Sequence, residues 1–230
     1  MGIFSSEPDY DRTRILEAAS RARARKRYRK AVTLYRRVLA VEPANLELHA
    51  RLAPLLAVTG RHFDAWTSFE ACGRAAVADK RLEQAAAVYR EAARCLPREI
   101  RAWEGIARIE RQRGQDRQAG EALLEGRQQF RGRKYRPHAI SLLRRALEVD
   151  PASTDVAIDL ARTLARTDQE SEAQLLLERL AQRATGVPLR RVRGAQWRIA
   201  PTLVNTWRWI HAACTAGRDE GTARTSRIHA

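Results

Sequence analysis

Residues 85–97 read Ala-Ala-Ala-Val-Tyr-Arg-Glu-Ala-Ala-Arg-Cys-Leu-Pro. An Ala opens the stretch, a ring follows four residues on, and a Pro closes it twelve residues after the Ala. The same spacing holds at Ala31, Tyr35 and Pro43, and again at Ala139, Leu143 and Pro151. Each copy lies 54 residues beyond the last. Three further sets keep that step: Leu52-Ala53, Ile106-Ala107 and Leu160-Ala161; Gly60, Gly114 and Asp168; Ala65, Ala119 and Ala173. Repetition at a fixed step predicts stacked copies of one supersecondary unit, each too small to bury its own apolar faces.

The composition agrees with helices. Only 8 Pro and 12 Gly interrupt 230 residues, Ala, Leu, Arg and Glu dominate, and no long stretch alternates polar with apolar. The net charge is +16, which points either to an acidic partner or to an Arg-rich proteome that places Arg on solvated faces. The composition looks bacterial. Three cysteines, Cys72, Cys95 and Cys214, show no metal-like spacing, and the first two fall on apolar stripes, which favours a reducing, cytoplasmic setting. Met1 to Tyr10 carry acids and no apolar core, unlike a signal peptide, and no apolar run reaches membrane-spanning length.

Along the chain, residues 1–11 read as a polar lead-in. The periodic residues predict helices one after another over residues 12–185, three to each 54-residue unit. Gly60 stands at a C′ position, and Pro43 and Pro97 act as stops. Pro54 falls inside a predicted helix, where it removes a hydrogen bond. Helix four holds Phe63, Ala65, Trp66, Phe69, Cys72, Gly73 and Ala76 and serves two neighbouring motifs. Residues 186–230 change character: a basic stretch with Trp197, a short helix near 201–214 opened by Pro201, and a frayed end.

Several windows resemble the tetratricopeptide repeat family. Residues 12–45 fit through Ala19, Ala31, Tyr35 and Pro43; residues 100–133 through Trp103, Ile106, Ala107, Gly114 and Ala119; residues 154–187 through Leu160, Ala161, Asp168 and Ala173. The resemblance implies an all-α, right-handed helix–turn–helix solenoid of about ten helices plus a C-terminal capping helix, and a protein-binding scaffold. The 54-residue step departs from the 34-residue family unit, so the shared helices around 62–79 and 116–131 decide where surface residues point.

The resemblance also implies a groove lined by the first helix of each pair. Carried over by position, Arg51, Arg74, Arg101, Arg108, Arg111 and Arg162 would line it, and guanidinium groups suit carboxylates and phosphates. An acidic or phosphorylated protein segment is the expected partner. The family's carboxylate clamp is absent, since Leu16, Ser20 and Arg51 occupy the corresponding places. The alternative is a basic protein binding RNA, DNA or an anionic membrane surface through Arg21, Arg23, Arg25, Lys26, Arg27, Arg29 and Lys30. In the tail, Trp197, Leu203, Trp207, Trp209 and Ile210 are expected either to cap the last repeat or to anchor at a lipid interface. Open ends of such an array also lend themselves to self-association. No phosphate loop, nucleophile elbow or His/Cys ligand spacing is written, so neither catalytic residues nor a metal or cofactor site is expected.

Overall fold

The computed structural model describes residues 10–226, with side chains through residue 215. The lead-in expected over 1–11 therefore lies almost wholly outside the described residues, as do residues 227–230 of the expected frayed end. Every regular element among the described residues is helical, twelve α-helices and one 3-10 turn at Arg133–Tyr135. They divide between Gln115 and Asp116 into two compact units.

The first unit holds α1 (Arg12–Ala24), α2 (Tyr28–Leu39), α3 (Leu46–Val58), α4 (His62–Ala78), α5 (Leu82–Cys95) and α6 (Ile100–Gln112). Each helix packs on the next through a short turn, so α4 has α3 on one side and α5 on the other. The second unit holds α7 (Asp116–Gln129), α8 (Arg136–Val149), α9 (Thr154–Ala165), α10 (Glu170–Arg183), α11 (Gly186–Ile199) and α12 (Leu203–Ser226), again packed in sequence. The 54-residue step is visible in the helix starts: 28, 82 and 136; 46, 100 and 154; 62, 116 and 170.

The repeated residues are the core. Ala31, Tyr35, Ala85, Tyr89, Ala139 and Leu143 are all buried, as are Leu52-Ala53, Ile106-Ala107 and Leu160-Ala161. The small residues let helix axes approach, and the ring or Leu fills the space between them. Phe63, expected on the stripe of α4, is instead exposed in its first turn.

The turns follow one recipe. Gly60 and Gly114 have φ of +80° and +72°, where an L side chain is strained. The residue after each returns its N–H to a carbonyl five back, Arg61 to Leu56 and Gln115 to Glu110, the Schellman closure. Lys26, Lys80 and Asp168 take the same left-handed conformation. Asp11 and Asn45 then cap α1 and α3 by accepting from the N–H of Arg14 and Leu48.

The motif prolines do more than stop helices. The Pro97 carbonyl accepts from the Trp103 indole N–H at 2.9 Å, and the Pro43 carbonyl meets Nε2 of His49, the equivalent of Trp103, also at 2.9 Å. With Nε2 donating there, His49 Nδ1 is free to accept from the Ser68 hydroxyl. Pro54 is accommodated within α3, which continues to Val58. The missing N–H leaves the Ala50 carbonyl without its helical donor.

The C-terminal region is more helical than its composition suggests. Residues 186–199 form α11, whose arginines hide the inward stripe of Val192, Ala195 and Gln196. The last helix runs on to Ser226 rather than ending near 214.

Candidate functional site

Tyr89 on α5 organises the surface where α4 and α6 flank it. A Cβ placed on Gly73 of α4 would come within 2.7 Å of the Tyr89 ring, and one on Gly105 of α6 within 2.6 Å. Two helix glycines thus let the ring pass between α4 and α6. Its hydroxyl accepts from the Arg108 guanidinium at 3.4 Å, and Arg74, next in sequence to Gly73, adds its charge from α4. Burial raises the pKa of the Tyr89 phenol, against the Arg108 and Arg74 charges, which favour the phenolate.

Arg101 opens α6 beside this group. Its guanidinium lies 4.8 Å over the buried Trp66 ring and is gripped by Glu99 at 2.7 Å and 2.9 Å. The hydrogen bond it donates to Glu99 raises its pKa, partly offset by burial. Arg74 and Arg108 are exposed, and Arg74 forms no ion pair among the described residues. The structure therefore brings together three of the six arginines expected of a groove: Arg74, Arg101 and Arg108.

Arg51 on α3 pairs with Glu47 on its own helix. Arg111 lies further along α6 and is already engaged by a neighbour. Arg162 belongs to α9 of the second unit, exposed and without an ion pair among the described residues.

The basic residues at 21–30 surround the α1–α2 turn. Arg21 and Arg23 end α1, Arg25, Lys26 and Arg27 form the turn, and Arg29 and Lys30 begin α2. In the tail, Trp197 of α11 stacks on Trp209 of α12 with centroids 5.4 Å apart and planes 13° from parallel. The expectation that Leu203, Trp207 and Ile210 lie on the last repeat is corrected: they are 90 %, 67 % and 50 % exposed. Residues 203, 207 and 210 share one stripe, whereas α12 packs through the neighbouring stripe of Trp209 and buried Ala212. Gly194 leaves room for the Trp209 indole. Glu178 of α10 ties this end together, receiving Arg193 at 2.8 Å, Gln196 at 2.9 Å and Arg208 at 3.4 Å. Burial alone would raise its pKa, but the Gln196 and Arg193 hydrogen bonds and the two cations outweigh it and hold the carboxyl below its ordinary value.

Sequence reasoning missed Glu110, the most buried charge in the first unit. It occupies the place that Leu56 and Leu164 take one step before and after, is fully buried, and meets Arg90 of α5 and Arg113 at 3.0 Å. Its departure from the Leu pattern was the available signal. The step also explains Arg90. Arg36 pairs with Asp64 and Arg144 with Glu172, equivalent pairs that each skip a helix, but the corresponding acid for Arg90 is replaced by Gln118. Arg90 turns to Glu110 instead.

No group of three His, Cys, Asp or Glu among the described residues is arranged to hold a metal. His49 is used on Pro43, His138 stacks on Phe130 and His211 on Trp207. Burial raises the Cys72 thiol pKa to about 11 and the Cys95 thiol to about 11, where a thiolate nucleophile is scarce at neutral pH. No helix among the described residues is long and apolar enough to cross a membrane.

A chain of consecutive helix pairs, joined by Schellman turns and bearing surface arginines on a repeating frame, defines a helical repeat protein. Residues 138–193 match the tetratricopeptide repeat family. No curated protein matches the sequence. Among solved structures, a thermophilic tetratricopeptide repeat protein of Thermus thermophilus is 18% identical, with 95% of this chain and 96% of that one covered at a TM-score of 0.32. PilF of Pseudomonas aeruginosa is 16% identical over 90% of each chain, at 0.28. A MamA protein is 14% identical over 74% of this chain and 90% of its own, at 0.29.

Proposed function

We propose that this protein is a non-enzymatic interaction scaffold whose first unit receives an acidic or phosphorylated protein segment on the α4–α6 face. The observation that carries this reading is that Arg108 of α6 donates to the Tyr89 hydroxyl while Arg74 of α4, next to the glycine that faces the same ring, adds its charge there. A carboxylate or phosphate there would gain two cationic donors at once. Each charge-assisted hydrogen bond contributes about 1.5–3 kcal/mol, and a tenfold change in affinity corresponds to about 1.4 kcal/mol. Arg101 over Trp66 adds a flat, partly apolar shelf for the backbone or side chains of the segment. Three free cysteines, one of them buried, suit a cytoplasmic setting.

The test measures binding of a fluorescent Glu-rich peptide, and of the same peptide with a phosphoserine, to the full chain at physiological salt. The double variant R74E/R108E is expected to weaken binding at least about tenfold, whereas R51E, whose target already pairs with Glu47, leaves it nearly unchanged. Affinity purification with nuclease treatment should retain protein partners that the double variant loses. Equal binding by wild type and R74E/R108E removes this face from consideration.

A further inference from the structure

The α1–α2 turn encloses a cleft of about 280 Å³ lined by Ala18, Arg21, Ala22, Arg25, Arg27 and Lys30. Four of these six residues are cationic and none is acidic. Arg21 reaches Glu17 only at 4.0 Å, and both are well exposed. Arg25, Arg27 and Lys30 have no side-chain hydrogen bond or ion pair among the described residues. The two alanines form an apolar floor on α1, with Ala22 buried.

The sister turns show what this cleft lacks. Arg61 and Arg81 precede α4 and α5 as Arg27 precedes α2. Arg61 closes on Asp64 at 3.1 Å, and Arg81 on Gln84 at 2.8 Å, each three residues ahead. Three residues after Arg27 the chain places Lys30, so the corresponding side chains repel. The first turn of α2 also contains no acid, whereas α4 and α5 have Asp64 and Glu83. An acceptor that the other turns supply from their own sequence is missing here, and its place is ringed by cations on both helices.

We infer that this cleft is a binding site for a phosphate group, borne by a small soluble phosphate or by a lipid headgroup. Several features favour a compact anion over an extended strand of nucleic acid. The cleft is closed on one side by the Ala18–Ala22 face, its cations come from two helices and the turn between them, and no exposed aromatic lines it for base stacking. Guanidinium and ammonium groups set around a small volume suit tetrahedral oxyanions. The site is separate from the α4–α6 face and does not depend on it.

The full chain is titrated with sodium pyrophosphate against sodium chloride at matched ionic strength, following the melting temperature and binding heat. Wild type is expected to gain about 3–6 °C at a tenfold excess over Kd. R25Q/R27Q/K30Q, which relieves exposed like charges and should melt no lower than wild type in chloride, is expected to lose that gain. R74E/R108E should keep it. A second arm sediments the proteins with phosphatidic acid/phosphatidylcholine vesicles and with phosphatidylcholine alone. Vesicle binding lost in the triple variant, with pyrophosphate inert, assigns the phosphate to a lipid; the reverse assigns it to a soluble ligand. The inference is overturned if neither probe distinguishes wild type from the triple variant, if pyrophosphate gives no more than chloride and phosphatidic acid vesicles bind no better than phosphatidylcholine alone, or if single-stranded RNA binds and neither pyrophosphate nor the vesicles displace it.

Discussion

Glu110 shows how a single residue can break a repeat and still be held. A fully buried carboxylate survives because Arg113 at 3.0 Å and Arg90 from α5 neutralise it, with Arg113 also reaching Glu83 at 3.1 Å. Such a cluster offsets its own desolvation rather than adding much stability. Because Leu occupies the equivalent positions 56 and 164, Glu110→Leu is expected to be neutral or to stabilise by about 1–4 kcal/mol. Arg113→Met leaves a buried oxygen short of its donor and should destabilise by about 1–3 kcal/mol. Urea unfolding followed by circular dichroism reads both. A strongly destabilised Glu110→Leu protein would mean that the carboxylate specifies the α5–α6 packing in a way that Leu cannot replace.

At the scale of elements, the Tyr89 crossing and its equivalent one step later solve the same packing problem differently. In the first unit Gly73 and Gly105 flank Tyr89. In the second, Arg127 and Asp159 stand at those two positions around Leu143, and the Arg127 guanidinium donates to Asp159 at 2.9 Å. The Tyr89 ring fills the space that bare helix backbone leaves on both of its sides, whereas the smaller Leu143 leaves room for an ion pair to bridge α7 and α9. Gly105→Ala should therefore destabilise despite a helix-propensity gain of about 1 kcal/mol, since overpacking costs about 1–3 kcal/mol. Its contacts are with the base of the ring (Cγ, Cδ1 and Cε1), which cannot swing away as the hydroxyl end facing Gly73 can. Tyr89→Leu in the Gly105→Ala background should recover part of the loss, and a double-mutant cycle of thermal unfolding measures the coupling. Simple additivity would rule out the steric account.

Across the whole molecule, 43 basic and 27 acidic residues leave a net charge of +16. Most ion pairs are at least partly exposed and each contributes about 0–1 kcal/mol, whereas the excess positive charge opposes the compact state. Raising sodium chloride from about 20 mM to 200 mM shortens the screening length from roughly 20 Å to 7 Å, so the melting temperature should rise. Calorimetry over that range checks it, and a fall would mean that the ion pairs outweigh the repulsion. The repeat protein class itself accounts for the low demand on any one helix. Each packs mainly on its neighbours in sequence, so stability accumulates from local interfaces.

The sequence alone determined the helical class, the 54-residue step and the core, because burial at helix–helix contacts demands small residues and rings at fixed spacing. Ala85, Tyr89 and Pro97 could be placed before any coordinates, and the turns at Gly60 and Gly114 followed from their need for positive φ. The candidate site was legible only in part. The arginines could be named, but spacing along one helix does not say which residues meet across three. Only tertiary structure decided that Tyr89 passes between Gly73 and Gly105 and gathers Arg74 and Arg108, while Arg51 is occupied by Glu47. It also decided that α12 packs through Trp209 and Ala212, leaving Leu203, Trp207 and Ile210 in solvent. Where a helix carries two apolar stripes, periodicity marks both, and the partner surface selects one.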